Sequence, residues 1–213
     1  MSLVKHLAKI DATLDGEDRC IFCGNYKVAS LSVNQKILKG RAIRRKQGEA
    51  AYMDKLLSYS EEDIQNMFKF TIVRNPWDRA VSAFHYLQQV MVDPTRPGYR
   101  VIESSMSFEQ FIIGVLPTLN LEFPDYRQRL EAHFSFQYSR AYYDDEQFVD
   151  HIAKLETLED DWSTISPAIG IDKKMKHSNK SQHAEYEKYY TVETKRIISS
   201  IYENDIEFFG YKF

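Results

Sequence analysis

The run Phe68-Lys69-Phe70-Thr71-Ile72-Val73-Arg74-Asn75-Pro76-Trp77-Asp78-Arg79-Ala80-Val81-Ser82-Ala83-Phe84-His85-Tyr86 joins two hydrophobic periodicities at a polar hinge. Phe68 to Val73 has the aromatic and β-branched composition of a buried strand. Pro76 suits the first turn of a helix, and Trp77, Ala80, Val81 and Phe84 then recur at helical spacing. The pattern predicts strand, tight turn, helix. Arg74 leaves the carboxyl end of the strand and Ser82 falls two turns into the helix, the region where open α/β sheets bind ligands. An arginine and a hydroxyl in that place suit an oxyanion.

A second junction of the same kind lies upstream. Cys20 to Gly24 is a short apolar strand, Asn25 to Ser32 a small polar turn, and Val33, Ile37 and Leu38 start a helix. A helix amino terminus offers unpaired N–H groups and the positive end of its dipole, to which Lys27, Ser30 and Ser32 add an ammonium and two hydroxyls. That combination cradles phosphate, although the Walker spacing G-x-x-x-x-G-K-[ST] is absent. Two such junctions fit a ligand carrying phosphates at both ends, such as a nucleotide with a 3' phosphate and a 5' chain.

The remaining chain alternates strands with helices. Residues 1 to 17 form a leader helix or loose segment, and residues 48 to 67 are helical, with Ser60 capping the turn that begins Glu61-Glu62-Asp63. Residues 91 to 105 make a loop, Ser107 caps the next helix, and residues 117 to 146 are irregular with helical pieces. A strand follows over Phe148 to Leu155, and Thr157 with Asp160 opens a short helix that Pro167 ends at Ser166. The tail carries Val192, Ile197, Ile198, Ile201, Tyr202, Ile206 and Phe209 at helical spacing and stops at Gly210. The pattern predicts an α/β sandwich around a largely parallel sheet, in one domain spanning 1–213.

Composition narrows the function classes. A net charge of -3 argues against general nucleic-acid binding. The longest apolar run is shorter than the roughly 20 residues of a membrane span, and the first residues lack a signal-peptide pattern, so a cytoplasmic location is expected. Lys36, Lys39, Arg41, Arg44, Arg45 and Lys46 form a basic stretch without an acid, read either as a solvated face or as a landing patch for an anionic substrate. Cys20 and Cys23 have no further cysteine to complete a zinc site and sit in a strand, so they are structural. No histidine pair has metal-ligand spacing, and no metal is expected.

Tyr26 to Ser32, Tyr-Lys-Val-Ala-Ser-Leu-Ser, resembles the 5'-phosphosulfate loop of the sulfotransferases, and Lys69 to Phe84 resembles their 3'-phosphate motif. The nearest branch comprises the carbohydrate sulfotransferases of the chondroitin 4-O and HNK-1 type and their bacterial relatives. Asp150 to Asp161 is similar to that branch's strand-then-helix segment, and Asp205-Ile-Glu-Phe-Phe-Gly-Tyr211 to its carboxyl-terminal signature. The resemblance implies a three-layer, P-loop NTPase-like fold and 3'-phosphoadenosine 5'-phosphosulfate as donor. It assigns Lys27, Ser30 and Ser32, with the backbone of Ala29 and Leu31, to the 5' phosphate and sulfate, and Arg74 and Ser82 to the 3' phosphate. Asn179-Lys180-Ser181 resembles a family loop over the 3'-phosphoadenosine. Tyr26 replaces the usual proline and Asn75 the usual aspartate.

In-line sulfuryl transfer needs stabilisation of the leaving phosphate and a base for the acceptor hydroxyl. Lys27 suits the first role. His133 suits the second, since Glu131-Ala132-His133 loosely resembles the branch's Glu-His-Trp segment; His85 and Glu131 are the reserves. The acceptor expected is a hydroxyl on a glycan or glycoconjugate. Two other readings stand beside this one: a non-catalytic nucleotide-binding protein of the same fold, and a kinase-like phosphotransferase, which the missing Walker motif disfavours.

Overall fold

The computed structural model describes residues 2–90, 102–103, 105–124, 129–172 and 185–213; the side chains of Lys36 and Val90 lie outside that description. In chain order the elements are α1 (Leu3–Lys9), β1 (Thr13–Asp15), β2 (Cys20–Phe22), α2 (Ser30–Ser32), which widens into π-helical turns at Val33–Ile37, β3 (Ala42–Ile43), α3 (Glu49–Leu57), α4 (Glu61–Asn66), β4 (Phe68–Val73) and α5 (Pro76–Val90). There follow α6 (Phe108–Gly114), α7 (Arg129–Phe134), β5 (Tyr142–Tyr143), β6 (Glu146–Gln147), β7 (His151–Lys154), α8 (Leu158–Ala168), α9 (Val192–Ile201) and α10 (Glu203–Phe209). These elements group into two compact units, one from Met1–Val73 with Ser139–Asn179 and one from Arg74–Tyr138 with Lys180–Phe213.

The first unit holds a five-stranded sheet in the order β3-β1-β2-β4-β7. Its centre is parallel: Cys20 pairs with Phe68 and Phe22 with Phe70, while Phe70 pairs with His151 and Val73 with Lys154. β4 is flanked on both sides and buried along nearly its whole length, which is why it reads as a continuous apolar run rather than an alternating one. Phe22 and Phe70 stack across the strands with centroids 4.9 Å apart. Lys69 breaks the run and is still buried, because its ammonium caps α4. Its Nζ donates to the carbonyls of Ile64, Gln65 and Met67 at 3.1, 3.2 and 2.8 Å and meets Asp150 at 3.1 Å.

The antiparallel edge was not predicted. The segment read as leader contains α1 and then β1, whose Leu14 pairs with Ile21 on one side and Ile43 on the other. Strands of two or three residues carry too little pattern to show a period of two. They are held by charge instead: Arg41 donates to Asp15 through Nε at 2.8 Å and Nη2 at 2.5 Å, and Asp15 is fully buried. Among the irregular residues, β5 and β6 form a hairpin whose turn places Asp144 and Asp145 in left-handed geometry (φ 48° and 60°).

The helix start signals at Ser60 and Ser107 are both present as capping boxes, closed by Asp63 and Gln110. At α8 the expectation fails twice. Thr157 makes no side-chain cap; its hydroxyl donates to Asp161 at 3.0 Å. Pro167 does not stop the helix, which runs to Ala168 before Gly170 turns left-handed. A proline in the last turn removes one ladder bond, and the Ser166 hydroxyl donates to the Ile171 carbonyl to close the end.

In the second unit, α5, α6, α7 and α9 enclose a core that includes Trp77, Val81, Phe84, Phe111, Phe134 and Ile198. The tail is two helices rather than one, parting at Tyr202, whose hydroxyl donates to the Phe134 carbonyl at 2.7 Å. Val192 stands outside the apolar face at 90% exposure, as the first residue after the Thr191 cap. Among the described residues, no helix is long and apolar enough to cross a membrane.

Candidate active site

In the first unit, the chain leaves β2 and is at once pinned to β4. Asn25, almost wholly buried, donates through Nδ2 to Thr71 Oγ1 at 3.2 Å and to the Ile72 carbonyl at 3.0 Å; Thr71 Oγ1 in turn donates to the Cys23 carbonyl at 2.6 Å. The loop then enters left-handed geometry at Lys27 (φ 64°) and Ala29 (φ 66°, ψ 15°) before α2 begins at Ser30. An L-residue in that region costs about 1–2 kcal/mol, and such strain persists where surrounding contacts over-determine it. The contacts here are the Asn25 pin, the fully buried Val28, and bonds from the N–H groups of Ser32 and Val33 to the Ala29 carbonyl at 2.8 and 3.2 Å.

A left-handed residue followed by a right-handed one turns successive N–H groups toward one side, which makes an anion nest. Ala29 and Ser30 have that arrangement. The turn thus collects Lys27, Ala29, Ser30, Leu31 and Ser32 at the head of α2. Two details differ from a simple cradle. The Ser30 hydroxyl already donates to the Asn25 carbonyl, so it must rotate before donating elsewhere, and Ser32 is buried. Leu31 is 56% exposed, so only its backbone belongs to the turn.

In the second unit, Arg74 and Ser82 bracket the first turns of α5, with Asp78 midway at i+4. Arg74 is buried, and both Nε and Nη2 donate to Asp78 Oδ2, at 2.9 and 2.8 Å. The sequence reading missed this pair, although the i, i+4 spacing displays it. Asn75 caps the helix: its Oδ1 accepts from the N–H groups of Trp77 and Asp78 at 3.0 and 3.3 Å. Its Nδ2 donates to the Lys212 carbonyl at 3.1 Å and to the Tyr186 hydroxyl at 3.4 Å. An aspartate would keep the cap and lose both donors, a physical reason for asparagine at this position.

Three groups were expected as bases. His133 lies on α7, almost wholly buried, with its ring stacked on Tyr86 at 5.2 Å. Its Nδ1 is 2.6 Å from the Arg129 carbonyl, an acceptor only, so Nδ1 is the donor in that bond. Glu131 is half-buried on the same helix. His85 packs edge-on against Tyr189 at 5.0 Å.

Beneath α7 lies an arginine the sequence reading passed over within its own opening motif. Arg79 is 2% exposed and donates to the carbonyls of His133 at 3.2 Å and Ser135 at 2.8 Å, with Asp205 at 3.8 Å. Burial pushes the Asp205 carboxyl above its ordinary value, opposed by Arg79 and by N–H bonds from Gln137 and Tyr138.

Other candidates resolve more simply. Burial pushes both Cys20 and Cys23 up to about 12, so neither is a ready thiolate and the structural reading stands. His151 meets Asp161 at 3.2 Å. Of the basic stretch, Arg41 pairs with Asp15 and Glu17, and Arg45 with Asp11 and Glu49, acids supplied from outside the run. Those two cations therefore carry no landing patch. Lys180 and Ser181, with Asn179, His177 and His183, lie outside the described residues. Among the described residues, no group of three or more His, Cys, Asp or Glu side chains is arranged to hold a metal ion.

The chain is 27% identical to carbohydrate sulfotransferase 10 of Gallus gallus, an alignment that covers 75% of this chain and 52% of the relative. The chain thus spans about half the length of the curated relative it matches. No solved structure gives a significant match. The family model described as "Sulfotransferase family" matches residues 12–212, and with nearly the whole chain inside that match the protein belongs to the sulfotransferase family.

Proposed function

We propose that this chain transfers the sulfuryl group of 3'-phosphoadenosine 5'-phosphosulfate to a hydroxyl of a carbohydrate acceptor. The observation that carries the reading is the turn Lys27–Ser32, a left-handed loop without glycine whose Ala29 and Ser30 have the backbone order of an anion nest beside one lysine. Left-handed geometry at Ala29 followed by helical geometry at Ser30 is the backbone arrangement of an anion nest. We read both units as parts of one domain with the family's P-loop-like, three-layer architecture, since the family match runs through both.

The side chains divide the work as follows. Lys27, the hydroxyls of Ser30 and Ser32 and the backbone N–H groups of Ala29 and Leu31 bind the 5' phosphosulfate, and Lys27 stabilises the charge that develops on the leaving phosphate oxygen. Arg74 and Ser82 bind the 3' phosphate, with Asp78 holding the guanidinium in its rotamer. His133 Nε2 accepts the proton of the acceptor hydroxyl as the new O–S bond forms and the S–O bond to the 5' phosphate breaks. Lys180 and Ser181 remain proposed contacts to the 3'-phosphoadenosine. The carbohydrate acceptor is supported by the named relative alone.

Calorimetric titration tests the donor assignment. 3'-Phosphoadenosine 5'-phosphate binds much more tightly than AMP if the reading holds; equal affinities contradict it and favour a phosphotransferase or an unrelated nucleotide binder. A screen of sugar, lipid and phenolic acceptors with labelled donor then identifies the acceptor class, and preference for a neutral lipid removes the carbohydrate assignment.

A further inference from the structure

Gln137 grips the main chain of Arg74 on both sides. Its Oε1 accepts from the Arg74 N–H at 2.9 Å, and its Nε2 donates to the Arg74 carbonyl at 2.8 Å. A side-chain amide is thereby used as a strand would be, pairing with both polar groups of one residue immediately after β4 has ended. Gln137 is fully buried, and its own backbone N–H donates to both oxygens of Asp205 at 3.0 Å. Asp205 also accepts from the Tyr138 N–H at 2.7 Å and from Gln137 Nε2 at 3.4 Å. Arg79, 3.8 Å from Asp205, supplies the countercharge.

We infer that Gln137, held by Asp205, is a positioning residue that fixes the Arg74 main chain and so aims its guanidinium at the ligand's 3' phosphate. The inference rests on the 3'-phosphate role proposed above for Arg74. Its logic is geometric. Arg74 stands between a strand end and a helix cap, and a small rotation of its backbone is magnified along a long side chain. The amide of Gln137 removes that freedom, because both of its hydrogen bonds are satisfied at only one setting of the Arg74 backbone. A buried amide left with either half unpaired is costly, so the pairing is held firmly. Asp205 in turn fixes the chain at Gln137 through two successive N–H groups, which links the carboxyl-terminal segment to the ligand site without touching ligand.

The test separates aim from stability by using two ligands that differ only in the 3' phosphate. Dissociation constants for 3'-phosphoadenosine 5'-phosphate and AMP are measured on wild type, Gln137→Met, which keeps the shape and loses both bonds, and Gln137→Glu, which keeps the acceptor for the Arg74 N–H. Far-UV circular dichroism and thermal melting establish that each variant is folded. The expected result is that the ratio of the two constants falls about tenfold in Gln137→Met, the order of one misaligned charge-assisted hydrogen bond, while AMP affinity stays within about twofold. Gln137→Glu, which sets a carboxylate oxygen against the Arg74 carbonyl and beside Asp205, is expected to lower the ratio at least as far as Gln137→Met. A ratio unchanged in a folded variant, whatever its melting temperature, overturns the inference. If neither variant folds, amide exchange of wild type decides: the Arg74 N–H exchanges slowly if Gln137 holds it, and rapid exchange overturns the inference. A wild-type ratio near one instead means that the 3'-phosphate role of Arg74 itself fails.

Discussion

Asn25 Nδ2 lies 3.2 Å from Thr71 Oγ1, so the residue that leads into the proposed phosphosulfate turn is bonded to the middle of β4. The same amide reaches the Ile72 carbonyl. Removing it leaves buried acceptors short of a donor, at a cost of about 1–3 kcal/mol. Asn25→Ala should lower the urea midpoint accordingly, and a double-mutant cycle with Thr71→Val should show coupling of about 0.5 kcal/mol or more. Strict additivity would mean that the two side chains do not act as one pin.

Ala29 holds φ 66° without being glycine. Ala29→Gly relieves the left-handed strain but adds freedom to the unfolded chain, so these effects nearly offset and stability should change by less than about 1 kcal/mol. Ala29→Val should lose more than about 1 kcal/mol, because a β-branched side chain tolerates this region least. Thermal melts of both variants check the order. A valine variant as stable as alanine would show that the turn does not keep this conformation.

His6 gives a pH dependence with a definite sign. Its Nε2–H donates to the Ser139 carbonyl at 2.8 Å, and the ring packs against Tyr143 and Phe148. Burial is the main cause of a pKa below the ordinary 6.5, aided by Arg140 and Lys9 and opposed by the Ser139 carbonyl and Asp144. The folded chain therefore binds fewer protons than the unfolded chain in the window just below 6.5. Stability from this residue is fully present above 6.5 and falls as the pH drops toward the folded value, by up to about 1.4 kcal/mol per pH unit. Urea melts from pH 7.5 down to about 5 should show that slope in wild type and a shallower one in His6→Phe.

Asn75→Asp restores the acid usual in the family and should harm this chain. It sets a carboxylate against the Lys212 carbonyl and costs about 1–3 kcal/mol at neutral pH. A thermal melt equal to wild type would mean that the asparagine is not selected by its two donors.

What the sequence disclosed follows from how each element is stabilised. β4 and α5 were legible because their burial is dense and periodic, and the boxes at Ser60 and Ser107 because a cap is a local device. β1 and β3 were not, since three residues hold no period and Asp15 finds Arg41 only after folding. Lys27, Ala29, Ser30, Leu31 and Ser32 were legible as a polar turn between a strand and a helix, yet its left-handed backbone has no signature in residues lacking glycine. Arg79 and Gln137 went unnoticed because their partners, His133 and Asp205, are distant in sequence. Asn75 was visible only as a departure from a pattern; its reason lies in the Lys212 carbonyl.

The most direct measurement is transfer of labelled sulfuryl from 3'-phosphoadenosine 5'-phosphosulfate to a panel of carbohydrate acceptors, run with wild type and Lys27→Ala. The account predicts product with wild type on at least one glycan and a loss of roughly 100-fold or more in turnover with the variant, the scale of removing one preorganised charge stabiliser. Transfer that persists undiminished in Lys27→Ala would contradict the placement of the chemistry at this turn, and a wild-type chain that binds the donor but sulfates no acceptor would contradict its assignment as an enzyme.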